Sequence, residues 1–137
     1  TQILNWLEKE INNVYAKDPL KRFGGWLLRF SGMTLKFDSS KEMGERVIEV
    51  TIQGKPLEKD KMYKMASCNR TGETISTMCR MPNAKNAVIQ KFTLHDAVRD
   101  YLKHHKTVSP KIDGRAQAVD LGDNVFSQMK ETGYEFK

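Results

Sequence analysis

The segment from Arg46 to Ser67 constrains the fold more than any other part of the chain. Between Val47 and Ile52 the apolar residues Ile48, Val50 and Ile52 recur every second position, with Glu49 and Thr51 between them. That alternation is the mark of a strand with one face buried and one wet. Gly54 and Pro56 then supply a tight turn, a charged connection follows, and a second strand is expected to open at Met62. An exposed two-stranded ribbon is not stable alone, so the rest of the chain has to cover it.

The flanking sequence offers that cover. Ile3, Leu4, Leu7, Ile11, Val14 and Tyr15 fall on one stripe of a helix, with Glu8, Lys9, Glu10 and Asn12 largely opposite. This helix should stop near Ala16, because the residue before Pro19 is pushed out of helical geometry. After the turn at Gly24-Gly25, Leu27 to Phe37 reads as a strand broken around Ser31-Gly32. Residues 71–89 follow no period. A second helix begins at Thr93: Leu94, Ala97, Val98, Tyr101 and Leu102 share a face, and Thr93 with Asp96 makes a capping-box variant. Asp113-Gly-Arg-Ala116 is a turn into a short extended piece. Val125, Phe126, Met129, Tyr134 and Phe136 suggest a final helical turn and a terminal strand. Helices flanking a run of strands predict an α+β fold with a mixed, largely antiparallel sheet.

At 137 residues the chain has the size of one domain, and with 39% hydrophobic and 29% charged residues it can bury a single core. No apolar run approaches the ~20 residues of a membrane span, and no signal peptide opens it, so no membrane partner is expected. The net charge of +6 favours anionic partners. The basic residues are dispersed and lack the aromatic-interleaved arms of a nucleic-acid binder. General solvation is the first reading of the charge, a phosphate-bearing small ligand the second, and nucleic acid the third.

Catalytic motifs are missing. There is no G-x-S-x-G, phosphate-binding loop, H-E-x-x-H or C-x-x-C. His95-Asp96 is the only adjacent histidine–acid pair, and helical neighbours point about 100° apart, so they form no relay. Cys68 and Cys79 are 11 positions apart, and the histidines lie elsewhere, which argues against a zinc site. The two thiols read either as free and partly buried or as a disulfide closing the loop between Arg70 and Met78. The aromatic group Phe23, Trp26 and Phe30 reads either as packing under the first helix or as a platform for a base or sugar ring. This chain alone is not expected to catalyse, and no cofactor is expected within it.

The order "RVxxVxxxGKPLxxDKxYKxA", preceded by Phe30 to Asp38, resembles the C-terminal domain of the 5'-nucleotidase family of metallophosphoesterases. The resemblance extends from the helix carrying Leu4 to Glu8, through Tyr63 to Ala66, to Tyr101-Leu102, Ser109-Pro110 and Gly114-Arg115. It implies a parent hydrolase with two divalent metal ions in a separate N-terminal domain, this chain gripping the substrate. It also implies a nucleotide or related phosphate ester as substrate and a periplasmic or extracellular location. Trp26 or Phe30 matches the position of an aromatic that stacks on the base.

Two departures from the family pattern bear on the site. A glycine-rich loop with a second stacking ring should follow Ala66, but Ser67 to Arg80 stands there, which is closer to the thiosulfohydrolase branch of sulfur oxidation. Arg70 or Arg80 could meet an anion in that loop. The family's earlier "GGxR" and "LPFxN" segments do not occur, so residues 1–137 are expected to be the later portion of the C-terminal domain. The expected ligand contacts are Trp26 and Phe30 by their rings, Asn69 by its amide and Arg70 by its guanidinium. The alternative is a binding or interaction module without hydrolysis that uses the Trp26 surface.

Overall fold

Strand β1 (Met33–Phe37) pairs antiparallel with β2 (Val47–Ile52), Met33 opposite Ile52 and Leu35 opposite Val50. This pairing is the centre of a four-stranded sheet in a computed structural model that describes residues 2–24 and 29–122. Those residues fall into two compact units, 2–59 with 114–122, and Asp60–Asp113.

In the first unit the chain turns tightly after β2. Gln53 and Gly54, with φ of 50° and 74°, form a two-residue loop that sets Lys55 opposite Ile52. Two left-handed central residues give the turn the twist of the strands it joins. The return strand β3 (Lys55–Pro56) has two residues and ends where proline removes a donor. At the other edge β4 (Ala116–Ala118) runs parallel to β1 with Leu35 opposite Ala116. The spatial order is β3-β2-β1-β4. The sheet is therefore mixed and mostly antiparallel, as the sequence predicts.

The expected alternation of β2 holds only in part. Lys36 lies opposite Glu49 but Phe37 lies opposite Val47, so Ile48 is an extra residue in the ladder. This bulge turns Ile48 outward, where it is 58% exposed, while Val50 is buried. A one-residue slip reverses which side chains face the core, and the bulge does this locally.

Helix α1 (Gln2–Tyr15) covers the sheet. Trp6, Leu7, Glu8, Glu10 and Ile11 are all buried. At about 100° per residue these five span more than half the circumference, so the helix is set more deeply than its apolar stripe alone suggests. Leu35, Phe37 and Val50 supply the sheet's buried face, and the Tyr15 and Phe37 rings meet at 5.6 Å. Full burial of an aliphatic or aromatic side chain of this kind is worth roughly 1.5–3 kcal/mol. Past Ala16 the chain reverses: Phe23 and Gly24 donate their N–H groups to Asn13 O, and Arg22 Nε donates to Ala16 O at 2.8 Å. Carbonyls otherwise orphaned at the helix end are thereby satisfied.

The second unit contains α2 (Leu94–His105) and an irregular loop. No strand forms at Met62, contrary to the sequence expectation. Residues 61–70 form neither strand nor helix, and Met62, Lys64, Met65 and Ala66 are exposed. A strand needs a neighbour for its backbone groups, and alternation cannot supply one. The capping box at Thr93 is formed: its Oγ1 accepts from Asp96 N at 3.2 Å, and Asp96 Oδ2 accepts from Thr93 N at 3.0 Å. Those bonds, led by the one from the Thr93 hydroxyl, hold the Asp96 carboxyl below the usual carboxylate range. The expected terminal patch from Val125 to Phe136 lies outside the described residues.

Candidate functional site

The best-ordered polar constellation in the first unit is one that sequence reasoning missed. Glu8, expected on the wet side of α1, is buried, and its carboxylate accepts from Gly44 N at 2.8 Å and Val47 N at 2.6 Å. Arg46, 1% exposed, donates from Nε to Lys41 O at 2.7 Å, from Nη1 to Asn12 Oδ1 at 3.1 Å and from Nη2 to Tyr15 O at 3.2 Å. Together they fasten the β1–β2 connection to the helix. The signal was present as Leu4, Glu8 and Asn12, a stripe at spacing i, i+4, i+8 beside the apolar face, with an arginine opening the next strand. The bonds of Glu8, Asn12 and Tyr15 tie α1 to Arg46 and to the backbone on either side of it, so this arrangement is a clamp that shapes the unit.

A second polar group ties β4 to β1. Asp120 accepts from Ser39 N at 2.8 Å and Ser39 Oγ at 2.5 Å. Burial pushes its carboxyl up, but the Ser39 bonds outweigh that and hold it below the usual range. Tyr15 is shifted upward, first by burial and then by the negative charge of Asp120.

The expected ligand residues divide between segments. Trp26 lies outside the described residues. Phe30, half-buried, belongs to the first unit, and its carbonyl accepts from the Arg115 guanidinium. Arg115 in turn accepts from Leu35 N at 2.7 Å. The backbone that carries Phe30 is thus pinned to the β1–β4 seam.

Asn69 and Arg70 are neighbours on the loop of the second unit. The Asn69 amide donates to Thr74 O at 3.0 Å and Thr77 O at 2.8 Å. Both of its donors therefore organise the loop, and its acceptor Oδ1 is the atom that remains for a ligand. Arg70 is exposed, and its backbone N donates to Glu73 Oε2 at 3.3 Å. Cys68 and Cys79 are both thiols, with their sulfurs 3.9 Å apart.

Among the described residues no group of three or more His, Cys, Asp or Glu side chains could hold a metal ion. The described residues therefore do not form a dinuclear centre. No described helix is long and apolar enough to cross a membrane.

A model of the family described as "5'-nucleotidase, C-terminal domain" matches residues 1–73. The matched stretch includes α1, β1, β2 and β3 and ends just past Asn69 and Arg70. No curated protein matches the chain.

Proposed function

The chain belongs to the 5'-nucleotidase C-terminal domain family, and from that premise we propose that it is the substrate-side portion of an exported, metal-dependent phosphoesterase. The match over residues 1–73 is the observation that carries this reading. The parent hydrolyses a nucleotide or related phosphate ester, using two divalent metals in an N-terminal domain to activate water and to offset charge on the phosphoryl oxygens.

The contribution of this chain is recognition. Trp26 and Phe30 offer ring faces to a base, and Arg70 offers a fork that pairs two anionic oxygens at once, which lysine cannot do. Asn69 offers its one remaining acceptor to a base amine or sugar hydroxyl. The pinning of the Phe30 backbone by Arg115 supports this reading, because a stacking ring acts best on a fixed base.

Trp26→Ala in the full-length parent tests it. Stacking on an aromatic is worth roughly 1–3 kcal/mol per base. The KM for a purine nucleotide should therefore rise by roughly 5- to 150-fold, while that for a small phenyl-free phosphate ester changes little. Equal effects on both substrates would place Trp26 in the core and overturn the assignment. A thiosulfohydrolase-like parent is the second reading, favoured by the Ser67–Arg80 stretch that replaces a glycine-rich loop. Turnover of an S-linked sulfonate in preference to any nucleotide would select it.

A further inference from the structure

The loop from Cys68 to Cys79 closes on a turn whose residues are poorly suited to it. Met78 and Met81 exchange both of their N–H···O bonds at 2.9 Å, leaving Cys79 and Arg80 as the two residues of a tight hairpin. Their φ angles are 48° and 67°. Two left-handed central residues favour Asn-Gly and similar pairs, whereas cysteine and arginine both carry a Cβ that crowds the following carbonyl there. Strain of this kind persists only where the surroundings over-determine it.

Placement of the thiol is what the turn achieves. Cys79 N donates to Cys68 O at 3.0 Å, and the two sulfurs stand 3.9 Å apart. Asn69 ties Thr74 and Thr77 together across the same span. Cys68 is exposed and Cys79 half-buried, so a thiol reagent reaches the pair through Cys68.

We propose that Cys68 and Cys79 are a redox pair that closes the loop bearing Arg70 through a reversible intramolecular disulfide. The oxidant is a disulfide, RSSR, either glutathione-like or on a thiol–disulfide oxidoreductase. The Cys68 thiolate attacks one sulfur of RSSR, and the departing thiolate takes up the proton that Cys68 lost. Cys79, deprotonated in turn, attacks the Cys68 sulfur of the mixed disulfide and releases the second thiol. Two cysteine thiols are oxidised by two electrons, and RSSR is reduced to two RSH. Arg70 lies inside the closed span, so oxidation restrains the residue assigned above to a ligand anion. That consequence rests on the proposed function; the disulfide itself does not.

The test uses the whole chain and needs no substrate. The protein is equilibrated with oxidised glutathione, alkylated, and digested with trypsin without reduction. Cleavage after Lys64, Arg70 and Arg80 separates the two cysteines onto peptides 65–70 and 71–80. Most of the 65–70 peptide should appear linked to 71–80, and dithiothreitol should release both. The Cys79→Ser chain should instead carry glutathione on Cys68. Recovery of both peptides alkylated, of glutathione on each, or of a 65–70 pair joined between chains would overturn the proposal. Loop closure has its own readout in the native chain: trypsin should cut after Arg70 about tenfold more slowly in the oxidised form, because cleavage follows local opening. Equal cleavage rates would show that the bond does not restrain the loop.

Discussion

The two units achieve order in different ways. In the first, Leu7, Ile11, Leu35 and Arg46 are essentially sealed from solvent, and buried charges bind the helix to the connection between strands. In the second, Met81 is the one buried residue among those described, α2 buries none of its side chains, and the loop is organised by hydrogen bonds among exposed groups. A segment with few buried apolar groups and solvent-accessible hydrogen bonds belongs to the low-stability end of a fold. The contrast has a functional side. The clamp unit spends Glu8 and Arg46 on its own architecture, whereas the loop unit presents Arg70 and the Cys68 thiol outward.

The sharpest way to break this contrast is Arg46→Ala. The substitution removes three donors, leaves the Lys41 and Tyr15 carbonyls without their partner, and opens a cavity beside α1. Leaving a buried acceptor without its donor costs about 1–3 kcal/mol, and Arg46 serves three of them. Urea unfolding of the chain should show a loss of that size in the transition reported by the first unit. A loss below about 1 kcal/mol would mean that the apolar core holds the helix without the clamp.

A smaller effect is expected in the second unit from Thr93→Ala. Helix α2 has 12 residues and no buried side chain, and isolated helices of this length are marginal in water. Losing the cap should cost about 1 kcal/mol of helix stability. Amide hydrogen exchange should accelerate across Leu94–His105 and remain unchanged across Met33–Phe37 and Val47–Ile52. Acceleration in the strands as well would show that the units unfold together, and would remove the contrast.

What was legible in the sequence follows the same division. The end of α1 before Pro19, the Thr93 cap and the short extended piece after Gly114 are local signals, carried by proline geometry, a hydroxyl and a glycine. Strand β2 was legible as a strand, but the outward turn of Ile48 was not, because a bulge depends on the register of β1 opposite it. By its position opposite the apolar stripe Glu8 belongs on the solvated face of α1, where a carboxylate usually lies. Its burial depends on Gly44 and Val47, far along the chain, presenting their N–H groups to it. The missing strand at Met62 fails for the reverse reason: the pattern is present, but among the described residues no strand pairs with it. For the ligand residues, the sequence supplied Asn69 as a donor and acceptor, but both donors are used by Thr74 and Thr77, partners that only the folded loop brings near.

The smallest expected effect concerns the seam between β1 and β4, and it sharpens the account of how the first unit uses its polar groups. Burial raises the Asp120 carboxyl, and the Ser39 hydroxyl and amide lower it by more, so its folded pKa lies below the unfolded value of about 3.9. A depressed folded pKa stabilises the folded state above the unfolded pKa, and that contribution is lost as pH falls through the folded one. Ser39→Ala removes the hydroxyl bond and leaves the burial contribution, so the Asp120 titration followed by carbon-detected NMR should move upward. Tyr15 gives an independent check, since part of its upward shift comes from the Asp120 charge. Asp120→Asn should lower the Tyr15 titration, while Ser39→Ala should leave it in place, because Asp120 remains ionised where tyrosine titrates. If both variants leave Tyr15 unmoved, burial alone raises it, and Asp120 acts only as the tether between Ser39 and the strand that precedes it.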